Sequence, residues 1–156
     1  MEIKIKFELL ENWGELPDLD VLLVEKAISI SETAYAKYSS FHVGAALLLE
    51  NGEIVLGSNQ ENIAFPSGIC AERTALFYAG SQFPDLKIKK LVIYGAGELL
   101  ASGAPVPPCG ACRQVIAESI LRQGEGFELL LIGKNKQALR FVNALDLLPL
   151  PFGFSN

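Results

Sequence analysis

The dipeptide Asn-Gly at positions 51 and 52 lies between two apolar runs, residues 42–50 and 53–58. An Asn-Gly pair favours the tight turn whose twist matches two antiparallel strands, because both central residues of that turn need a positive φ. The two runs are therefore predicted to pair as a β-hairpin. This is the strongest short-range structural signal in the chain.

Helical and strand-like segments alternate along the rest of the chain. Apolar residues at helical spacing predict three helices, over residues 20–37, 71–83 and 109–123. Besides the hairpin, apolar runs or alternation predict strands at residues 3–9, 88–94 and 127–132. Because strands and helices alternate in the second half, crossovers there should produce parallel pairing. The expected fold class is α/β, a three-layer α/β/α arrangement with a mixed, about five-stranded sheet.

The composition of the chain limits its size class, its location and the partners it can have. A chain of 156 residues, half of them apolar, suits one domain that buries about 70% of its unfolded surface. The net charge of -5 argues against nucleic acid as a partner, and no apolar run has the length of a membrane span. The first residues alternate in charge and lack a signal-peptide pattern, so a cytoplasmic location is expected. In that reducing compartment, three cysteines do not indicate a disulfide framework.

Each of the three cysteines lies at the start of a predicted helix. Cys70 precedes the second helix, and Cys109 and Cys112 form a C-x-x-C pair at the third. Free N–H groups and the helix dipole favour thiolates there. A lone C-x-x-C pair also fits a redox pair or coincidence, but the redox interpretation leaves Cys70 without a role. Two such helices, each after a strand of one sheet, can bring all three sulfurs together.

Three thiolates around one zinc would leave the fourth tetrahedral position open, as in catalytic sites. Glu72, two residues after Cys70, is placed to take a proton from water in that position. His42 could be the fourth ligand instead, although a structural role is favoured for it. Because three thiolates overcompensate the charge of zinc, Arg73 and Arg113 are candidate donors to the sulfurs.

Two motifs together resemble the zinc signature of the cytidine deaminase family, in its small homotetrameric branch with three cysteine ligands. They are C-A-E-R-T-A-L at residues 70–76 and P-C-G-A-C-R-Q at residues 108–114. Y-S-S-F-H-V-G-A-A-L at residues 38–47, N-Q-E-N at 59–62 and L-L-P followed by F-G near the end are similar to further family segments. The resemblance makes residues 18–156 a cytidine-deaminase-like catalytic domain and residues 1–17 an N-terminal extension with an expected edge strand.

The resemblance implies zinc-dependent hydrolytic deamination of cytidine and deoxycytidine to uridine and deoxyuridine, a reaction of pyrimidine salvage. Cys70, Cys109 and Cys112 would hold Zn²⁺. Glu72 would carry a proton from the water to the pyrimidine ring nitrogen and later to the departing amine.

Substrate contacts are also implied by the resemblance. Asn59 and Glu61 would hydrogen-bond the 3′-hydroxyl of the ribose, since an amide and a carboxylate suit a group that donates and accepts. Phe41 and Ala71 would contact the substrate, and Phe152 from a neighbouring subunit would pack on the base. The implied partners are therefore a small nucleoside and further copies of the chain, in a homotetramer with shared active sites.

The sequence departs from the family at two positions and leaves other functions open. Lys37 stands where proline is common, and Phe65 stands where a tyrosine is common, so one hydroxyl near the subunit junction is missing. The alternatives are a deaminase of another aminopyrimidine nucleoside such as blasticidin S, a non-catalytic zinc-binding module, and an enzyme that edits polynucleotides. The last conflicts with the acidic charge balance.

Overall fold

The structure of the protein is a computed structural model that describes residues 2–98 and 102–153. Its strands are β1 (Glu8–Leu10), β2 (His42–Leu49), β3 (Ile54–Ser58), β4 (Ile88–Ala96), β5 (Glu128–Ile132) and β6 (Ala138–Phe141). Its helices are α1 (Asp18–Ser31), α2 (Ala71–Gln82) and α3 (Gly110–Gln123), with short 3₁₀ turns between elements. The six strands form one sheet in the order β1-β6-β5-β4-β2-β3.

The predicted hairpin is confirmed. Strands β2 and β3 pair antiparallel across the Asn-Gly dipeptide, where the Asn51 side chain accepts a hydrogen bond from the Glu53 amide. Gly52 has a φ of 88° but Asn51 does not have a positive φ, so the turn differs from the expected one with two positive φ angles. The other edge of β2 pairs antiparallel with β4, and β4 pairs parallel with β5. The sheet is therefore mixed, as predicted, and α3 is the crossover between its parallel strands.

The three-layer arrangement is also confirmed. Alternate residues of β2 enter two separate cores, Ala45 and Leu47 on one face of the sheet and Ala46 on the other. The first face is covered by α2 and α3, and the second is covered by α1. This alternation is what a strand buried on both faces requires.

Two glycines let the helices approach the sheet closely. A Cβ atom on Gly44 of β2 would lie 1.9 Å from the carbonyl oxygen of Ala27 in α1. A Cβ atom on Gly57 of β3 would lie 2.5 Å from the carbonyl oxygen of Ala71, the first residue of α2. The start of α2 is thus held directly against the backbone of β3, and with it the position of Cys70.

Several boundaries differ from the prediction. Helix α1 ends at Ser31 rather than near Lys37, because the chain then turns and Tyr35 exchanges main-chain hydrogen bonds with Asn59 and Glu61. The predicted strand 3–9 is confined to β1, where β6 offers it a partner. The short strand β6 was not predicted, since its sequence A-L-R-F is only four residues long. The division of the chain at residue 17 stays a prediction.

Across residues 2–98 and 102–153, no helix has both the length and the apolar character needed to cross a membrane. The end of the tail, residues 154–156, lies outside the described residues.

Candidate metal centre and active site

The structure brings the three cysteine sulfurs together. The Sγ atom of Cys109 lies 3.9 Å from that of Cys70 and 3.5 Å from that of Cys112, and all three lie within 4.8 Å of one another. Zinc–sulfur bonds of about 2.3 Å in a tetrahedron place sulfurs about 3.8 Å apart. None of the three cysteines forms a disulfide. The spacing and the chemistry of this donor set fit Zn²⁺.

Helix ends position the sulfurs. Cys70 is the N-cap residue of α2, Cys109 is the N-cap residue of α3, and Cys112 lies in the first turn of α3. Neither N-cap side chain is used to cap its helix, so both sulfurs are free to face the cluster. Because α2 and α3 pack side by side on one face of the sheet, their N-termini meet.

The sulfurs interact strongly with one another. Hydrogen bonding from the Cys112 thiol and then from Arg73 lowers the pKa of Cys70 to about 5. The same hydrogen bond to Cys70, together with burial, raises the pKa of Cys112. A thiolate at Cys70 therefore keeps the Cys112 thiol protonated, and a bound divalent cation would allow both of these groups to ionise.

The two arginines are placed differently. The Nη2 atom of Arg73 donates to the Cys70 sulfur at 3.6 Å, as the sequence led us to expect. Arg113 instead donates through Nε to the Pro108 carbonyl at 2.9 Å and through Nη1 to the Leu147 carbonyl at 3.1 Å. Its guanidinium thus fastens the loop before α3 to the segment after β6, and supports Cys109 through the backbone.

Glu72 lies in the first turn of α2 and its side chain is only 5% exposed. Burial raises the pKa of this carboxyl to about 7. Glu72 borders the same cavity as Cys70 and Cys109 but is not part of the sulfur cluster. His42 begins β2 and is not part of the cluster either.

The cavity beside the sulfurs has a volume of about 710 Å³. Its walls combine Cys70, Cys109, Glu72 and Arg73 with apolar side chains of the sheet and with polar residues of two loops. The predicted substrate contacts Phe41, Asn59 and Glu61 all line it. A cavity of this size, mostly apolar with a few convergent polar groups, suits a small organic ligand.

One wall of the cavity is a segment that we call the strap, residues 38–43. Glu61 accepts hydrogen bonds from the main-chain amides of Tyr38 (2.8 Å) and Ser39 (3.3 Å) and from the Ser39 hydroxyl. Asn59 donates to the Phe41 carbonyl at 2.9 Å and accepts from the Val43 amide at 2.7 Å. Both predicted ribose contacts therefore also hold the strap in place.

Two predicted contacts lie outside the cavity wall. Ala71 is fully buried, with its carbonyl oxygen against β3, and it is not part of the cavity wall. Phe152 is 89% exposed, and its main chain is held by the Gln114 side chain through bonds of 2.6 and 3.2 Å. Phe152 does not line the cavity of its own chain.

The two departures from the family also have defined places. Phe65 lines the cavity, with its ring against the Tyr38 ring at a centroid distance of 5.8 Å and an edge-on angle of 69°. Lys37 is exposed. Sequence reasoning assigned no role to Ser39 or Gln114. For Ser39, the available signal in the sequence was its place two residues before Phe41, a spacing at which a serine side chain can bond to the backbone in a local turn.

Comparison with known proteins places these features in one family. Residues 18–123 match the family model described as the cytidine and deoxycytidylate deaminase zinc-binding region. The cytidine deaminase of Mycobacterium tuberculosis H37Rv is 34% identical over 148 residues, which cover 90% of this chain and 96% of that protein. The cytidine deaminase of Sporosarcina psychrophila is 50% identical over 99 residues, covering 61% of this chain and 68% of that protein. The crystal structure of cytidine deaminase from Burkholderia pseudomallei superposes with a TM-score of 0.72 at 36% identity, covering 85% of this chain and 98% of that one.

Proposed function

The chain belongs to the cytidine and deoxycytidylate deaminase family, and from this premise we propose that its cavity is the active site of a zinc-dependent deaminase that converts cytidine and deoxycytidine to uridine and deoxyuridine. One observation carries the proposal. A buried carboxyl, Glu72, borders the same cavity as Cys70 and Cys109, two members of a cluster of three cysteine sulfurs whose spacing fits zinc. A purely structural zinc site needs neither an open fourth position nor a buried acid.

Cys70, Cys109 and Cys112 would hold the zinc, which when bound supplies a Lewis acid and lowers the pKa of water toward 7. Arg73 draws charge from the Cys70 sulfur through its hydrogen bond. In the overall reaction, a bond forms between C4 of the base and the oxygen of water, and the bond from C4 to the amino nitrogen breaks to release ammonia.

Glu72 would move the protons of this reaction. It takes one from water, delivers it to ring nitrogen N3, and later supplies a proton to the departing amine. A general acid-base works best with a pKa near the working pH. Burial, which raises the pKa of Glu72 to about 7, suits this role.

The rest of the cavity would recognise the nucleoside. Glu61 and Asn59 would bind the 3′-hydroxyl of the ribose, and Phe41 would pack on the base. Among the described residues that line the cavity, Arg73 is the one cation, and it is engaged with Cys70. Ionised Glu61 would repel a phosphate, which favours the nucleoside over its monophosphate.

The site would be completed by another copy of the chain. Phe152 is exposed and lies away from its own cavity, so it is available to pack on a base held by a neighbouring subunit in a homotetramer. A cytoplasmic location also remains part of the proposal, on the composition and cysteine usage of the sequence.

The experiment that tests the function is zinc analysis of the pure protein together with the loss of ultraviolet absorbance of cytidine. One zinc per chain and turnover of cytidine and deoxycytidine are expected. Blasticidin S, cytidine monophosphate and cytosine in single-stranded DNA, assayed in parallel, test the alternatives. Zinc near zero, or faster turnover of any of these three substrates than of cytidine, would contradict the proposal.

A further inference from the structure

We infer that Ser39 is a positioning residue for recognition of the ribose, because its one hydroxyl links Glu61 to the backbone of Phe41. The Ser39 hydroxyl donates a hydrogen bond to Oε1 of Glu61. Its oxygen accepts a hydrogen bond from the Phe41 amide, with a nitrogen–oxygen distance of 3.1 Å. The inference rests on the proposed function, in which Glu61 binds the 3′-hydroxyl and Phe41 packs on the base. Ser39 would act on both without being a catalytic residue.

The backbone that carries Glu61 is fixed independently of Ser39. The Glu61 amide donates to the Tyr35 carbonyl at 2.8 Å, and the Tyr35 amide donates to the Asn59 carbonyl at 3.0 Å. These two bonds set where the Glu61 side chain begins, and leave the orientation of its carboxylate to the strap.

The strap supplies three donors to that carboxylate. Oε2 accepts the amides of Tyr38 and Ser39, and Oε1 accepts the Ser39 hydroxyl. A carboxylate has about four lone-pair positions, two on each oxygen. Oε2 is therefore saturated by the strap, and one position remains on Oε1. The Ser39 proton selects which position on Oε1 stays free for a ligand in the cavity.

The conformation of the strap depends on Ser40. Ser40 has a φ of 52°, in the left-handed region that residues with a side chain seldom adopt. This turn between Ser39 and Phe41 brings the Phe41 amide back to the Ser39 oxygen. Loss of the hydroxyl would remove a bond that holds this turn closed, as well as a bond to Glu61.

The charge of Glu61 gives a second readout. Hydrogen bonds from the Ser39 side chain and the Tyr38 amide lower the pKa of Glu61. The titratable groups that face Glu61 are Tyr38 and His42. The interaction with His42 also lowers the pKa of Glu61. A depressed pKa keeps the carboxylate ionised until the pH falls through its lowered value. Without the Ser39 donor that transition should move to higher pH.

The test compares Ser39→Ala with Ser39→Thr, which keeps the hydroxyl, in the zinc-loaded protein. Ser81→Ala is the control, because Ser81 is an exposed serine near the end of α2 and does not line the cavity. The readouts are kcat and KM for cytidine and 2′-deoxycytidine, the inhibition constant of 2′,3′-dideoxycytidine, zinc content and thermal stability.

For Ser39→Ala we expect KM for both substrates to rise about tenfold, the size of one hydrogen bond to a charged group. The value of kcat should change less than about threefold, and the inhibition constant of the dideoxy compound, which lacks the 3′-hydroxyl, should change little. Ser39→Thr should recover most of the loss, and Ser81→Ala should resemble the wild type. An unchanged KM, or an equal loss of affinity for all three compounds, would overturn the inference.

The pKa of Glu61 separates this inference from the proposed function. Titration of its carboxyl carbon by nuclear magnetic resonance needs no turnover. Its pKa should be higher in Ser39→Ala than in the wild type and restored in Ser39→Thr, and an unchanged pKa would overturn the positioning role. If the wild type deaminates none of the nucleosides, the proposed function fails, and the titration still decides whether Ser39 orients Glu61.

Discussion

The sulfur cluster and the strap line one cavity but are built in different ways. Cys70, Cys109 and Cys112 sit on the ends of two helices that pack on the sheet, and Glu72 beside them is buried. The strap, residues 38–43, is irregular chain that leads into the first two residues of β2, and it is held by hydrogen bonds with side chains of a second loop. The proposed zinc ligands and the proposed proton carrier are therefore fixed by helix packing, and the proposed substrate contacts are fixed by individual hydrogen bonds.

This difference predicts two kinds of response to substitution. A change at the sulfur cluster should remove the metal or the proton carrier, and activity with it. A change at the strap should weaken substrate binding by the energy of one or two hydrogen bonds, with the metal retained. Paired substitutions can test whether the two regions are as separable as their construction indicates.

The largest effect is expected from Cys109→Ser. Cys109 is exposed, so the substitution should do little to the core, but it removes one of three sulfurs. Zinc should fall from one per chain to near zero, and turnover should drop by more than the roughly 10⁴-fold that loss of an acid-base group costs. Metal analysis and cytidine turnover check this outcome. A variant that keeps both zinc and activity would remove Cys109 from the ligand set.

Glu72→Gln should come next. The amide fills the same buried space but cannot carry a proton, so kcat should fall by at least about 10²–10⁴-fold while zinc stays at one per chain. Glu72→Ala should lose turnover as well, with zinc intact. Retention of a tenth of the wild-type activity in either variant would show that another group moves the protons.

Two glycines provide a matched pair, one behind each region. A Cβ on Gly57 would lie 2.5 Å from the Ala71 carbonyl oxygen, and a Cβ on Gly97 would lie 2.7 Å from the Ser40 carbonyl oxygen. Gly57→Ala should displace α2, cost about 1–3 kcal/mol of stability and weaken zinc binding. Gly97→Ala should displace the strap and raise KM, with zinc retained.

Thermal melting, zinc competition with a chelator and steady-state kinetics measure the two glycine variants side by side. If Gly97→Ala loses zinc as readily as Gly57→Ala, the strap and the sulfur cluster form one cooperative unit rather than two separable ones.

The smallest effects are expected in the tail. Phe152→Ala should raise KM a few-fold with zinc unchanged, because lost packing on the base weakens substrate and transition state alike. Gln114→Ala, which frees the main chain of Phe152, should do the same to a lesser degree. Leu150→Ala is the control, since Leu150 is also exposed on the tail.

Dilution tests the shared site directly. If Phe152 acts on a neighbouring subunit, specific activity should decrease when the protein is diluted below the concentration at which the assembly dissociates. If sedimentation under assay conditions shows a monomer and that monomer is fully active, this role for Phe152 is ruled out. The sulfur cluster would be unaffected by that result.

The sequence alone was enough for the elements with strong local signals. Asn51 and Gly52 specified the hairpin, because an Asn-Gly pair between two apolar runs favours a tight turn, and Gly52 supplies the positive φ of the turn that formed. Cys70, Cys109 and Cys112 indicated a common site, because each lies at a helix start and two helices that pack side by side on one face of a sheet can place their N-termini next to each other. Strand β6 gave no such signal, since four residues carry too little periodicity to stand out.

Contacts between distant segments were decided only by the tertiary structure. Arg113 follows a cysteine directly, yet it donates to the carbonyl oxygens of Pro108 and Leu147. Ser39 meets Glu61 across 22 positions of the chain. Local spacing determines which helix face or turn a residue occupies, but a hydrogen bond forms with whichever acceptor the packed fold brings within reach. The turn and the helix ends could therefore be predicted from the residues beside them, whereas the partners of Arg113 and Ser39 could not.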